Sequence, residues 1–120
     1  MRVYVAGPMS SIPDFNRPAF EAAEKWLWLN GYEPVNPLNV LPYDPQYKWE
    51  DYMRADLRAM LDCEGIMILP GWEDSKGAVC EVSVAVDLGM DIMYWEDVCE
   101  KEGSLVGKKV NLGEYLNGGL

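Results

Sequence analysis

Residues 65 to 81 read Gly65-Ile66-Met67-Ile68-Leu69-Pro70-Gly71-Trp72-Glu73-Asp74-Ser75-Lys76-Gly77-Ala78-Val79-Cys80-Glu81. The first five form a continuous apolar run, as in a strand buried on both faces, and Pro70-Gly71 ends it in a turn. A polar loop over 71 to 77 leads into a helical pattern over 78 to 88, which Gly89 stops. Asp91-Ile92-Met93-Tyr94-Trp95 then reads as another strand. Buried strands alternating with amphipathic helices predict a parallel sheet covered on both sides.

The same alternation runs toward the N-terminus. Val3-Tyr4-Val5-Ala6 is a short apolar strand closed by Gly7-Pro8. Pro18 suits the first turn of a helix in which Phe20, Ala23, Trp26 and Leu27 recur until Asn30-Gly31. A strand over 32 to 35 ends at Asn36-Pro37, and residues 37 to 47 form a proline-rich loop without period. Residues 49 to 62 are helical, with Met53, Leu57, Met60 and Leu61 on one face. The expected fold is a single-domain open parallel α/β sheet of four to five strands, flavodoxin-like or Rossmann-like. Residues 1–95 form the main body and 96–120 a C-terminal extension packed on the same domain, with a short edge strand at 106 to 112.

Composition narrows the chemistry. The 120 residues hold 20 Asp and Glu against 10 Lys and Arg, with no His, for a net charge of -10. Such a surface repels polyanions, so a nucleic-acid polymer or an anionic membrane is not an expected partner. Without His, the usual metal centres and His-based triads are excluded, and neither metal nor cofactor is expected. Three Cys at irregular spacings suit free thiols, and with neither signal peptide nor membrane span a cytoplasmic location is expected.

In open α/β sheets, ligands gather beyond the carboxyl ends of the strands, here the loops 7 to 16, 36 to 48 and 70 to 77. Gly7, Pro8, Met9 and Ser10 can wrap a ligand with their backbone or form a plain turn. Asn16 is a ligand contact or, more simply, the cap of the following helix. Ser75 and Gly77 precede a helix start where free N–H groups attract phosphate, although Ser75 also has the chemistry of an ordinary N-cap. Tyr4, Trp49 and Trp72 can stack on a base or pack, and Cys80 stands beside Glu81.

Two carboxylates break the amphipathic pattern. Glu81 falls on the apolar face with Ala78, Val82 and Ala85, and Asp56 lies between Tyr52, Met53 and Met60. Burying either as an ion costs several kcal/mol unless it is paired. Each therefore has two readings: a functional group, or half of an ion pair with Arg54 or Arg58.

The order of these motifs resembles a small bacteriophage and prophage family that is itself similar to the nucleoside 2-deoxyribosyltransferase superfamily, which includes the 2'-deoxynucleoside 5'-monophosphate N-glycosidases. The matching segments are Val3 to Ser10, Asp14-Phe15-Asn16, Val35-Asn36-Pro37, Asp51 to Leu57, and Leu69 to Ala78 followed by Glu81. The resemblance implies an enzyme of nucleotide metabolism that cleaves or transfers the N-glycosidic bond of a deoxynucleoside or its 5'-monophosphate. It implies Glu81 as nucleophile and Asp56 as its proton-transfer or orienting partner. Ser75 and Gly77 would hold the 5'-phosphate, and Gly7, Pro8, Met9 and Ser10, with Tyr4 beneath, would line the sugar and base. It also implies a homodimer or larger homo-oligomer. In departure from the family, Ser11 stands where many members carry Gly, and Arg17 or Lys76 must supply the cation that a phosphate needs. The competing readings are a non-catalytic nucleotide-binding module and an acidic mimic of nucleic acid.

Overall fold

The computed structural model describes residues 1–105 of the chain, and the edge strand expected at 106 to 112 lies outside the described residues. Four strands, β1 (Arg2–Ala6), β2 (Glu33–Val35), β3 (Gly65–Ile68) and β4 (Asp91–Tyr94), form one sheet in the order β2-β1-β3-β4. All three pairings are parallel, with Tyr4 opposite both Val35 and Ile66, and Ile68 opposite both Ala6 and Tyr94. Four helices connect and follow them: α1 (Arg17–Leu29), α2 (Trp49–Leu61), α3 (Lys76–Asp87) and α4 (Trp95–Leu105).

The unbroken apolar runs of β1 and β3 have the expected cause. Val3, Val5, Met67 and Leu69 meet Phe20, Ala23 and Leu27 of α1 and Trp95 of α4 on one face. Tyr4, Ala6, Ile66 and Ile68 meet Met60 of α2 and Val82 and Ala85 of α3 on the other. Alternate residues thus serve opposite layers, and a strand covered on both sides needs no polar positions. Because β1 and β3 are neighbours but hand the chain to helices on opposite faces, their carboxyl ends form the switch point where α/β proteins place ligands.

The structure corrects several local expectations. Leu61, expected on the buried face of α2, is 56% exposed, while Asp56 is buried. Trp95 does not close β4. It opens α4 and is 1% exposed in the core, so this helix crosses the boundary expected at 95/96. Asn16 stands at the cap position of α1 but makes no side-chain cap hydrogen bond. It belongs to a left-handed turn in which Asp14, Phe15 and Asn16 have φ of 55°, 54° and 60°, and its amide donates to the Pro8 carbonyl at 3.1 Å. That conformation aims the side chain back across the loop after β1, away from the N–H groups a cap would serve.

Candidate active site

Tyr4, at the middle of β1, has no exposed surface and points toward α2 and α3. Its hydroxyl donates to Glu81 Oε2 at 2.5 Å. Glu81 is on the inner face of α3 and 5% exposed, and Asp56 is on the inner face of α2 and 8% exposed. The two carboxyls belong to neighbouring helices over the same strand. The charge of Asp56 acts on both Glu81 and Tyr4.

The ion-pair reading does not hold. Arg54 and Arg58 are exposed, and the ion pairs among the described residues join Arg2 to Glu33 and Arg17 to Asp14 and Glu21. Burial is the largest influence on Glu81 and raises its pKa; the Tyr4 hydroxyl opposes this, the charge of Asp56 adds to it, and the result is about 8. Burial pushes Asp56 up to about 7. Tyr4 is driven well above its ordinary range, chiefly by burial and then by the charge of Glu81, so it remains a hydrogen-bond donor. Two carboxyls that hold a proton near neutrality, one of them oriented by a fixed donor, can divide the work of nucleophile and acid.

The helix starts form the rim above this cluster. Ser75 accepts a hydrogen bond from the Ala78 N–H at 3.2 Å and so caps α3. The N–H groups of Lys76 and Gly77 find no partner among the described residues, leaving the positive end of the helix available to an anion. A Cβ on Gly77 would lie 3.1 Å from Met53 Sδ and 3.9 Å from Trp49 Nε1, so Gly77 lets α3 approach α2 one turn above the carboxyls. Lys76 places its ammonium 4.1 Å from the centroid of the Trp49 ring. The loops after β1 and β3 also meet closely: a Cβ on Gly7 would come within 2.7 Å of Leu69 Cβ, and one on Gly71 within 3.3 Å of Pro8 Cγ.

The structure thus gathers Tyr4, Asp56 and Glu81, with Ser75 and Gly77 above them and Gly7 and Pro8 buried where the two loops touch. It does not bring every candidate to that cluster. Met9 packs on the α1 side of the sheet, Ser10 is exposed, and Asn16 braces its own loop. Arg17 lies 3.7 Å from both Asp14 and Glu21 and is already engaged by acids. Trp72 packs against the α2/α3 layer. Sequence reasoning missed Met53 as the side chain against Gly77 and Lys76 as the partner of Trp49. The first had a signal, since Met53 lies three residues before Asp56 and therefore on the same helix face.

A parallel sheet ordered β2-β1-β3-β4, with helices on both faces, defines a flavodoxin-like α/β protein. A family model described as "Domain of unknown function (DUF4406)" matches residues 1–94, and the chain belongs to that family. Among solved structures, it is similar to a 2-deoxyribosyltransferase from the psychrotolerant bacterium Bacillus psychrosaccharolyticus, with a TM-score of 0.61 and 20% identity over 78% of this chain and 71% of that one. That likeness is one of fold. No curated protein matches the chain.

Proposed function

We propose that the protein cleaves or transfers the N-glycosidic bond of a deoxynucleoside or its 5'-monophosphate, with Glu81 as nucleophile and Asp56 as acid. The observation that carries this reading is the buried Tyr4–Glu81–Asp56 cluster, with no neutralising cation among the described residues, under the carboxyl-end switch point where such folds hold ligands. The fold shared with a deoxyribosyltransferase supports it.

Cleavage of this bond develops positive charge on the sugar. A carboxylate beneath the anomeric carbon stabilises that charge and traps it. At rest Glu81, at about 8, holds its proton more tightly than Asp56, at about 7, so substrate binding must reverse that order and leave the proton on Asp56. Ionised Glu81 Oε then forms the bond to the anomeric carbon as the bond to the base breaks, and Asp56 gives its proton to the departing base. In the second half, water attacks the same carbon and loses its proton to Asp56, or a second base attacks, and Glu81 leaves as a carboxylate. Tyr4 holds Glu81 in place and favours its charged form. Both carboxyls are nearly closed to solvent, and Met53 packs against Gly77 one turn above them, so Met53 has to move for a substrate to enter there. The N-terminus of α3 and Lys76 supply the local positive potential that a 5'-phosphate needs on a chain of net charge -10.

The test is incubation with a panel of deoxynucleosides and their 5'-monophosphates, with and without a second base, and chromatography of the free base. Release of base that Glu81→Ala abolishes supports the reading. Turnover unchanged in that variant refutes Glu81 as nucleophile, and calorimetric binding without turnover replaces the enzyme by a nucleotide-binding module.

A further inference from the structure

A second concavity lies at the carboxyl ends of β3 and β4, and none of Tyr4, Asp56 and Glu81 lines it. It encloses about 240 Å³. Buried Ile68 and Leu69, at and just beyond the end of β3, form its floor, Trp72 and Tyr94 its walls, and Glu73 and Glu96 its rim. Regular backbone holds both sides. Gly71, with φ of 84°, turns the chain sharply after Pro70. The short turn Trp72–Asp74 then closes on itself, the Asp74 N–H donating to the Gly71 carbonyl at 3.2 Å and the Ser75 N–H to that of Trp72 at 3.0 Å. Across the cavity, Tyr94 stands opposite Ile68 in the sheet register, so their side chains share a face. The next residue opens α4, which puts Glu96 in its first turn.

The lining selects the charge of an occupant. No Lys or Arg lines the cavity, and the ion pairs among the described residues, those of Arg2 and Arg17, do not reach Glu73 or Glu96. An anion would be repelled by both acids and by the negative faces of the two rings, whereas a cation is attracted by all four groups. A metal ion needs several oxygen ligands around it. Among the described residues, no group of three or more His, Cys, Asp or Glu could hold one. An organic cation needs no such shell, and its carbon atoms suit the aromatic walls and the apolar floor. The volume equals the share of about eight waters in the liquid, which accommodates a chain of about four to five carbons with an ammonium at each end. Two carboxylates at the rim then meet two positive charges.

We propose that this cavity binds a small aliphatic diamine, its two ammonium groups paired with Glu73 and Glu96 and its methylenes packed between Trp72 and Tyr94. The inference does not depend on the chemistry assigned to Glu81, which lies outside the cavity. Titration of the full chain with putrescine, the four-carbon diamine, tests it at neutral pH and about 50 mM salt, where surface charge is weakly screened. Calorimetry gives the affinity, and the Trp72 indole N–H resonance reports the place. The expected result is saturable binding at one site with a dissociation constant below about 1 mM. Butylamine, with a single charge, binds about tenfold or more weaker, as does putrescine to Glu73→Gln or to Glu96→Gln. Both positions are exposed, so these variants keep their fold, checked by circular dichroism. Tyr94→Leu keeps the apolar wall but loses the ring, and weakens binding about two- to fivefold. Absence of saturable binding up to about 10 mM putrescine overturns the proposal, as does affinity unchanged in both glutamine variants. Magnesium chloride that shifts the same resonance and competes at equal concentration overturns it too, by reducing the effect to general attraction of cations. Butylamine binding as tightly as putrescine overturns the two-ended pairing.

Discussion

Glu81→Gln isolates the cost of placing an ionisable carboxyl under α3. Glu81 moves from an ordinary 4.5 to about 8 on folding, a displacement equivalent to about 5 kcal/mol at 1.36 kcal/mol per pH unit. Water entering the site as the group ionises lowers this to about 2–3 kcal/mol in practice. Between pH 4.5 and 8 the native state holds a proton that the unfolded chain has released, so stability falls as pH rises through that window. Asp56, moving from 3.8 to about 7, acts in the same direction at slightly lower pH. Gln keeps a carbonyl to accept the Tyr4 hydroxyl but cannot ionise. Urea unfolding at intervals from about pH 5 to 8.5 therefore gives a falling stability for the wild type and roughly half that slope for Glu81→Gln, the remainder belonging to Asp56. A wild-type profile that is flat or rises over this range refutes the reasoning, as does a Gln variant that retains the full slope.

Removing the donor has the opposite effect on the same group. In Tyr4→Phe the carboxylate loses a hydrogen bond of about 1.5–3 kcal/mol, so the carbon-13 titration of the Glu81 carboxyl moves upward by about one to two pH units, and an unmoved midpoint shows that the hydroxyl does not act on the charged form. Ser75→Asp keeps a capping oxygen for the Ala78 N–H and leaves the melting temperature close to wild type. Its added charge opposes phosphate, so turnover of a 5'-monophosphate falls about tenfold or more relative to the unphosphorylated nucleoside, and equal effects on both substrates remove Ser75 from phosphate recognition. Gly7→Ala drives a methyl into Leu69, and thermal melting should show a loss of about 1–3 kcal/mol; a melting temperature at the wild-type value means that the two loops are not in the tight contact described.

The sheet was legible because its strands need no alternation. Gly65 to Leu69 and Val3 to Ala6 are apolar at every position, and only burial on both sides explains that. Glu81 and Asp56 were legible for the converse reason, as charges at core spacing. The absence of an arginine partner for Asp56 was also within reach, since Arg54 and Arg58 stand two residues to either side and so point away from it on a helix. What misled was the end of β4. Ile92-Met93-Tyr94-Trp95 reads as one apolar run, and the acids Glu96 and Asp97, which favour a helix N-terminus, were the signal that Trp95 starts α4. The left-handed turn at Asp14, Phe15 and Asn16 had no comparable signal, because Asp and Asn tolerate that conformation singly but Phe is held there only by its surroundings. Those surroundings include the bond from Asn16 to Pro8 and the Phe15 ring 5.6 Å from that of Tyr43.

The family match ends at residue 94, one residue before the largest fully buried side chain among the described residues. Trp95 closes the α1 layer, Val98 and Cys99 pack beside it, and Glu102 accepts a hydrogen bond from Trp26 Nε1 at 3.1 Å. Residues 1–94 are therefore not a physically closed unit in this protein. A chain trimmed to residues 1–94 would lose Trp95 from the cluster it shares with Val5, Phe20 and Leu27, so the family boundary cuts through this core rather than around it.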